Sequence, residues 1–391
     1  MKRIKLFEPS IDNREILAVK KVLKSGWLSY GKASLELEER VKKKFKLSNV
    51  IAANSCTNGL HASLIACDVG KNDEVITSPF TFVSTINNLH HIQSKIILAD
   101  INKEDFSIEL DDLRKKVSRK TKCVLPVHYG GNPSDIIEIK KICENKSIKI
   151  IEDAATAMGA KIGNKYVGSL NTDASVFSLY GNKVIVSGEG GIISVKNSKI
   201  EKKIRKIIFC GMDFSPFKRV NNKKVNWKYN VTIPGYKYNM SDIQSSIALA
   251  QFGKLEKIIS QRNKISDHYS NNFKELINNN LVKPIKILKN NYSSHYIYTL
   301  LINTGYLKTS RNDLINFLKL KKIDTTVHYI PAHKHKFYSK MFKKFKLPNC
   351  NYVFDRIISL PMHENLTKNQ INFVSNNIIK FIKQNTKKNI Y

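Results

Sequence analysis

The sequence predicts an α/β protein with a mainly parallel central sheet flanked by helices, followed by a smaller C-terminal α+β domain. Short, nearly continuous apolar runs alternate with longer segments in which apolar residues recur every three to four positions. Continuous apolar runs are typical of strands buried on both faces, as in parallel sheets. Because 391 residues exceed what one compact core usually serves, we expect two domains, residues 1–250 and 251–391.

The individual elements follow in order along the chain. Amphipathic patterns predict helices over residues 13–23 and 34–45. Strands are then predicted from the apolar runs near Val50, Val75, Ile96, Val124 and Ile150, and over residues 175–179 and 191–195. A single long helix is predicted over residues 241–273. The smaller domain starts near Pro284, with strands over 294–302 and 325–329 and a last helix over 367–384.

The composition is strongly basic. Lys and Arg number 66 against 32 Asp and Glu, which gives a formal net charge of +34. This bias is explained either by codon usage in an AT-rich genome or by attraction of an anionic substrate. The lysines are scattered and are not interleaved with aromatic residues, so we expect no nucleic-acid partner.

The cysteines and the apolar runs exclude further classes of protein. The six cysteines are dispersed without a CxxC or Cys/His spacing, so neither a disulfide framework nor a metal site is expected. Neither a signal peptide nor an apolar run of about 18 residues is visible. We therefore expect a cytoplasmic protein with no membrane partner.

A lysine and an aspartate stand out as candidate catalytic residues. Lys183 follows the apolar run 175–179 and precedes the glycine-rich turn 188–191, and Asp153 ends the apolar run 148–153. A lone lysine is usually a solvated charge and an Asp after a strand is often a helix cap, so neither residue is decisive alone. Together they match what pyridoxal phosphate (PLP) needs: an amine that reacts with the aldehyde, and a carboxylate for the pyridine nitrogen.

A third segment could bind the phosphate of that cofactor. Residues 53–62 follow the predicted strand near Val50 and open a helix, with small residues and hydroxyls at the turn. The free N–H groups at a helix N-terminus suit a phosphate. Many helices begin with Ser or Thr, so this signal gains weight only beside Asp153 and Lys183.

From about residue 7 to the last helix, the chain resembles the DegT/DnrJ/EryC1/StrS sugar aminotransferases, which are fold-type-I PLP enzymes acting on nucleotide-linked keto-sugars. The resemblance rests on ordered motifs such as Asn54-Ser-Cys-Thr-Asn-Gly-Leu-His61 and Glu152-Asp-Ala-Ala-Thr-Ala-Met-Gly159. The other motifs cover residues 25–31, 37–39, 73–85, 127–131, 235–244 and 327–333. It implies a fold-type-I PLP transferase in which residues 1–250 bind the cofactor.

The resemblance also implies a role for each matching residue. Lys183 would form the Schiff base with the cofactor and move the substrate proton, and Asp153 would pair with the pyridine nitrogen. Cys56 through its backbone, Thr57 and Ser178 would hold the phosphate. Phe82 would stack on one face of the ring, with Ala155 and Thr156 near the other. Many members have Gln or His in place of Thr156, to contact the 3-hydroxyl, and the shorter Thr puts that contact in doubt or routes it through water.

The family further implies a homodimer with shared active sites. Lys237 and Asn239 stand where many members have Asn and Arg, in a loop that reaches towards the neighbouring subunit's cofactor phosphate. A lysine there would act as a point charge. Arg219 and Trp227 lie in a stretch that contacts the nucleotide sugar in related chains, although a solvated charge and a packing aromatic are equally compatible with the sequence. His328 and Tyr329 are candidate substrate contacts.

The implied activity is transfer of an amino group, from L-glutamate, to the keto group of a nucleotide diphosphate sugar, for amino-sugar or surface-polysaccharide synthesis. One alternative is a PLP-dependent sugar dehydratase on the same fold, in which the family replaces the lysine with His. Lys183 argues against it. The other is a non-catalytic regulatory protein, against which Asp153, Ser178 and Lys183 all speak.

Overall fold

The computed structural model describes residues 2–144, 146–213 and 229–387. Nine strands lie in the first half of the chain: β1 (Asn49–Ala53), β2 (Glu74–Thr77), β3 (Lys95–Leu98), β4 (Thr121–Leu125), β5 (Lys149–Asp153), β6 (Lys161–Ile162), β7 (Lys165–Tyr166), β8 (Ala174–Ser178) and β9 (Gly191–Val195). Seven of them form the central sheet, in the order β1-β9-β8-β5-β4-β2-β3. All seven strands predicted for the larger domain are confirmed.

The central sheet is mixed but mostly parallel, as predicted. β3, β2, β4, β5 and β8 are joined by parallel pairings. β9 runs antiparallel to β8 and to β1. Every residue of β2, β8 and β9 is buried, which explains why these strands are apolar without alternation.

Helices flank this sheet. They are α1 (Asn13–Ser25), α2 (Lys32–Phe45), α3 (Cys56–Ala66), α4 (Val83–His91), α5 (Leu110–Lys116), α6 (Ile136–Cys143) and α7 (Ser198–Ile208). The two helices predicted before β1 are confirmed as α1 and α2.

The N-terminus of α2 is capped from a distant part of the chain. Its own N-cap, Gly31, offers no side chain. The buried carboxylate of Asp242 instead accepts from the backbone N–H groups of Gly31 (2.8 Å), Ala33 (3.1 Å) and Ser34 (3.0 Å), and from the Ser34 hydroxyl (2.7 Å). These bonds satisfy N–H groups that a helix leaves unpaired at its start.

α1 is attached to the rest of the chain through a polar side chain. Its Glu15 is buried, pairs with the ammonium of Lys254 at 2.6 Å and accepts from the amide of Gln251 at 2.8 Å. By contrast, Ile16 and Leu17 are 59% and 61% exposed. α1 therefore presents apolar side chains to solvent, which is unusual for a helix on a monomer.

The prediction of a single helix over residues 241–273 is wrong. Two helices occupy this stretch, Asp242–Phe252 and Leu255–Asn272. The break falls at Gly253 and Lys254, where the lysine ammonium turns to pair with Glu15 and to donate to the carbonyl of Ser10. The first helix thus ends where Lys254 makes these tertiary contacts, and the apolar periodicity continues across the break.

A second sheet with its own hydrophobic cluster lies in the C-terminal part. It contains β10 (Val282–Pro284), β12 (Tyr298–Ile302) and β13 (Ile357–Leu360), all antiparallel. The short β11 (Asn291–Tyr292) instead pairs with β6. Other helices here are Lys274–Asn278, Arg311–Leu320, Ser339–Phe342, Pro348–Arg356 and Lys368–Asn385, the last of which was predicted.

Two strand predictions in this part need correction. The strand predicted over 294–302 occupies only Tyr298–Ile302. Residues 325–329 do not form a strand, because they leave the sheet after one bridge between Thr326 and Ser359 and line a cavity instead. β13, which was not predicted, pairs with β12 at the edge of this sheet. The domain division at residue 250 stays a prediction.

Candidate active site

Asp153 lies at the carboxyl end of β5 and is 4% exposed. Its Oδ2 accepts a hydrogen bond from the Thr85 hydroxyl at 2.6 Å, and its Oδ1 accepts from the backbone N–H of Ala155 at 3.1 Å. Burial favours a neutral carboxylic acid, whereas hydrogen-bond donors favour the carboxylate. Each oxygen of this buried group therefore has a donor that stabilises its ionised form.

Lys183 lies in the connection between β8 and β9 and lines the same cavity as Asp153. Burial lowers the pKa of its amine to about 8, although Cys56 and the negative charge of Asp153 oppose this shift. Its Nζ lies 4.4 Å from the centre of the Tyr296 ring. Lys183 is thus an amine of lowered basicity held against an aromatic face.

The start of α3 forms an anion cradle beside these two residues. The Ser55 hydroxyl caps the helix by accepting from the N–H of Asn58 at 3.1 Å. The N–H groups of Cys56 and Thr57, in the first turn, have no partner within the helix. A Cβ on Gly191 would lie 2.6 Å from the Ser55 backbone, so only glycine lets β9 approach this turn so closely.

Hydroxyl groups complete the cradle. Ser178, at the end of β8, accepts from the N–H of Tyr180 at 3.2 Å, which leaves its own O–H free to donate to a ligand. Thr57 also lines the cavity. Two N–H groups at a helix N-terminus and two hydroxyls fit a phosphate, so the residues present suit the phosphate of PLP.

One cavity of about 600 Å³ brings most of the predicted residues together. Those that line it are Cys56, Thr57, Phe82, Asp153, Ala155, Thr156, Ser178, Lys183, His328 and Tyr329. Phe82 is 56% exposed, and its ring centre lies 5.9 Å from that of Tyr329. A flat aromatic ligand could therefore lie against Phe82 with its ends reaching Asp153 and the cradle.

The Thr156 hydroxyl is used within the protein. It donates to the carbonyl of His128 at 2.7 Å and accepts from the N–H of Gly131 at 3.1 Å. Thr156 therefore fixes the turn after β4 as well as lining the cavity. Its role towards a ligand stays a prediction.

His328 and Tyr329 line another part of the cavity. The Nδ1 of His328 contacts the Ser359 hydroxyl at 2.9 Å. Burial, and then the positive charge of Lys183, lower the pKa of His328 to about 4, so its ring is neutral at neutral pH. Burial also raises the pKa of the Tyr329 phenol well above its usual range, which keeps it as a neutral donor.

The structure does not bring every predicted residue to this cavity. Lys237 is exposed, and neither Lys237 nor Asn239 lines it. Their loop packs beside the cradle, since the N–H of Asn54 donates to the carbonyl of Tyr238 at 2.7 Å. Arg219 and Trp227 lie outside the described residues.

Several residues of the site were not predicted from the sequence. Tyr129 and Tyr296 line the cavity, and the Tyr129 hydroxyl donates to the carbonyl of His328. Thr85 contacts Asp153 and lies in the quoted motif over residues 73–85, which was the one available signal. Tyr129 likewise lies in the quoted motif over residues 127–131, whereas Tyr296 lies outside all of the quoted motifs.

A buried pair lies on the other face of β5. The Nδ1 of His128 accepts from the N–H of Ser134 at 3.0 Å, so its Nε2 carries the proton and donates to Glu152 at 2.7 Å. Burial would raise the pKa of Glu152, but hydrogen bonds from His128, Ser175 and Thr172 outweigh it and hold that pKa below its usual value. This network fixes the strand that ends in Asp153.

The model of the DegT/DnrJ/EryC1/StrS aminotransferase family matches residues 9–379. The chain belongs to this family. It is 33% identical over 369 residues to the spore coat polysaccharide biosynthesis protein SpsC of Bacillus subtilis, covering 94% of each chain. It is 38% identical over 381 residues to the uncharacterized protein MJ1066 of Methanocaldococcus jannaschii, covering 97% of each chain.

Solved structures of the family have the same fold. Helicobacter pylori PseC, an aminotransferase involved in the biosynthesis of pseudoaminic acid, has a TM-score of 0.89 at 26% identity, over 98% of this chain and 100% of that chain. The PMP form of Spr1654 from Streptococcus pneumoniae has a TM-score of 0.90 at 25% identity, over 97% and 99%. The protein is therefore a fold-type-I aminotransferase that uses PLP.

The helices were also compared with the requirements of a membrane span. Within residues 2–144, 146–213 and 229–387, none combines the length and the apolar character needed to cross a bilayer.

Proposed function

We propose that this aminotransferase moves an amino group from L-glutamate to the keto group of a nucleotide diphosphate sugar, giving an amino sugar for a surface polysaccharide or glycan. The observation that carries the proposal is that Lys183, Asp153 and the cradle at Cys56 and Thr57 share one cavity. The names of SpsC and PseC support polysaccharide or amino-sugar synthesis as the setting.

Residues of this chain would hold the cofactor at three points. Asp153 would pair with the pyridine nitrogen, and the first turn of α3 with Thr57 and Ser178 would bind the phosphate. Phe82 would cover one face of the ring. When bound, PLP supplies an aldehyde that exchanges amines and a ring that withdraws electrons from the substrate carbon.

Lys183 would hold the cofactor through its amine and then act as the proton carrier. A pKa of about 8 leaves an appreciable neutral fraction at neutral pH, and an amine must be neutral to accept a proton. The Tyr296 ring, 4.4 Å from Nζ, would receive the protonated form. His328, neutral at that pH, and Tyr329 would offer hydrogen bonds to the sugar.

We further propose a homodimer in which each cavity is completed by the other chain. Among the described residues that line the cavity, Lys183 is the only Lys or Arg, so the cradle lacks a cation for a doubly charged phosphate. Lys237 of the partner subunit would supply it, with Asn239 positioning the loop. The outward Ile16 and Leu17 of α1 provide apolar surface for such an interface.

The cytoplasm is the compartment we propose, because PLP and nucleotide sugars are made there. All six cysteines are free thiols, which suits a reducing compartment.

The cofactor assignment is tested by reducing the PLP-loaded protein with borohydride and mapping the modified lysine by peptide mass spectrometry. We expect the adduct on Lys183 and its loss in Lys183→Ala, whereas a control variant of the exposed Lys165 keeps it. An adduct on another lysine in the wild type would overturn the assignment.

The substrate class is tested with glutamate and a panel of keto-sugar nucleotides, with mass detection of amino-sugar products. The proposal requires amination of at least one nucleotide sugar together with release of 2-oxoglutarate. Amination only of simple keto acids would show a different substrate class.

The shared site is tested by mixing two inactive variants, Lys183→Ala and Lys237→Glu. A mixed dimer would contain one cavity with both native residues, so activity should return towards a quarter of that of the wild type at equal mixing. If mixed dimers form, as confirmed by mass, without recovered activity, Lys237 does not serve the partner's cavity.

A further inference from the structure

We infer that Thr85, supported by Thr81, is a positioning residue that keeps the Asp153 carboxylate ionised and fixed for its contact with the pyridine nitrogen. The inference rests on the proposed function, because Asp153 is the residue assigned to that nitrogen. It adds a pair of hydroxyls behind Asp153, of which Thr81 lines the cavity and Thr85 does not.

The contact between Thr85 and Asp153 is direct and buried. The Thr85 Oγ1 lies 2.6 Å from Oδ2 of Asp153, and the two residues are 0% and 4% exposed. Thr85 lies in the first turn of α4, and its N–H donates to the carbonyl of Phe82 at 3.2 Å. The helix that presents Phe82 to the cavity therefore also delivers the Thr85 hydroxyl to the carboxylate.

The Thr81 hydroxyl extends this contact into a chain of hydrogen bonds with a defined donor at each step. Thr81 Oγ1 lies 3.0 Å from Thr85 Oγ1, where either atom could donate. An ionised carboxylate only accepts, so the Thr85 hydrogen is committed to Asp153 and the Thr81 hydroxyl must donate to Thr85. The chain runs from Thr81 through Thr85 to Asp153, and each bond polarises the next.

This chain of hydroxyls has an electrostatic consequence. A carboxylate that is almost completely buried tends to take up a proton and become neutral. A neutral acid would no longer keep a proton on the pyridine nitrogen. The Thr85 hydroxyl and the N–H of Ala155 stabilise the charged form, one at each oxygen.

The Thr85 hydroxyl can influence a bound ligand only through the residues that it contacts. Thr85 does not line the cavity, so it cannot bind the phosphate or the substrate itself. Removing its hydroxyl should therefore act on a ligand through its two hydrogen-bond partners, Asp153 and Thr81. Only Asp153 is assigned to the pyridine nitrogen, so a loss shown by PLP and not by an analogue without that nitrogen reports on Asp153.

The test compares two ligands of the apoprotein: PLP and its analogue in which a C–H group replaces the pyridine nitrogen. Thr85→Val removes the hydroxyl at nearly constant volume, and Thr85→Ser keeps it. We expect Thr85→Val to weaken PLP binding about tenfold, the effect of losing a hydrogen bond to a charged group, with less than about a twofold change for the analogue. Thr85→Ser should restore the wild-type ratio of the two affinities.

Thr77→Val is the matched control. Thr77 is also fully buried and its hydroxyl donates to the carbonyl of Leu125 at 2.8 Å, without contacting Asp153. This variant should lower thermal stability like Thr85→Val but leave the ratio of the two affinities unchanged. If Thr85→Val does not fold, Thr85→Ala is measured instead, with the same loss expected for PLP alone.

Equal weakening of both ligands in Thr85→Val, or no weakening of either, would overturn the inference. Failure of the proposed function looks different, because the wild type itself would then form no borohydride adduct on Lys183. A normal wild-type adduct combined with an unchanged affinity ratio in Thr85→Val rejects only the role of Thr85.

Discussion

Lys183 should titrate well below the ordinary range of a lysine amine when the cofactor-free protein is taken from pH 6.5 to 10.5. Burial of its amine lowers the pKa from 10.5 to about 8. At pH 7 a pKa of 8 leaves about 9% of the amine neutral, against about 0.03% for an unperturbed lysine. The neutral form is the nucleophile, so this difference corresponds to about a 300-fold gain in the population that can react.

Trace labelling with acetic anhydride, read by peptide mass spectrometry at each pH, measures this titration. The exposed Lys165 in the same sample provides an internal reference for the labelling reaction. In Asp153→Asn the midpoint of Lys183 should fall further, because the carboxylate charge opposes the effect of burial. A midpoint near 10 in the wild type, or an upward shift in Asp153→Asn, would refute this account.

Three further outcomes are expected. Asp153→Asn should retain PLP but turn over about 10²-fold more slowly in steady-state assays with glutamate, which corresponds to a barrier increase of about 3 kcal/mol. Near-normal rates would mean that Asp153 has only a structural role. Asp242→Ala should lower the free energy of unfolding by about 3 kcal/mol in urea titrations, because the start of α2 loses its cap. As a control, Asp267→Ala at an exposed position should change the free energy of unfolding little. Lys183→Met should stabilise the apoprotein by about 2 kcal/mol in thermal melts at pH 7, where the folded state holds a buried cation, and the gain should shrink as the pH rises from 8 towards 10.5. Equal melting temperatures at pH 7 would mean that this cation carries no cost.

The central sheet could be predicted because most residues of its strands are buried, which makes these strands short, mainly apolar runs. The break at Gly253 could not, because its backbone remains helical (φ −61°, ψ −21°) and the helix ends through contacts of Lys254 with Glu15 and Ser10. Those contacts join residues more than 200 positions apart, so no local pattern records them. The stretch 325–329 has the β-branched and aromatic residues of a strand, but most of these residues line a cavity.

The candidate active site likewise contains residues that could be predicted from the sequence and residues that could not. Asp153 and Lys183 could be chosen together because neighbouring strand ends meet at one edge of a sheet. Tyr296 could not, because its place under Lys183 depends on how the C-terminal half packs against the central sheet. The buried Arg262 contributes to that packing by donating to the carbonyls of His295 and Tyr296.

The pairing of β1 with a strand from much later in the chain affects when during synthesis the phosphate cradle is completed. β1 and the cradle that follows it are made early, but β1 lies at the sheet edge and pairs with β9, so that Asn49 and Val195 meet across 146 residues of chain. Gly191 of β9, which packs directly against the backbone of Ser55, must also be synthesised before the turn is complete. Contacts between such distant segments form late. A ribosome-bound chain that still lacks β9 therefore carries the phosphate-binding motif without the neighbouring strand, so we expect PLP to bind only after β9 has been made.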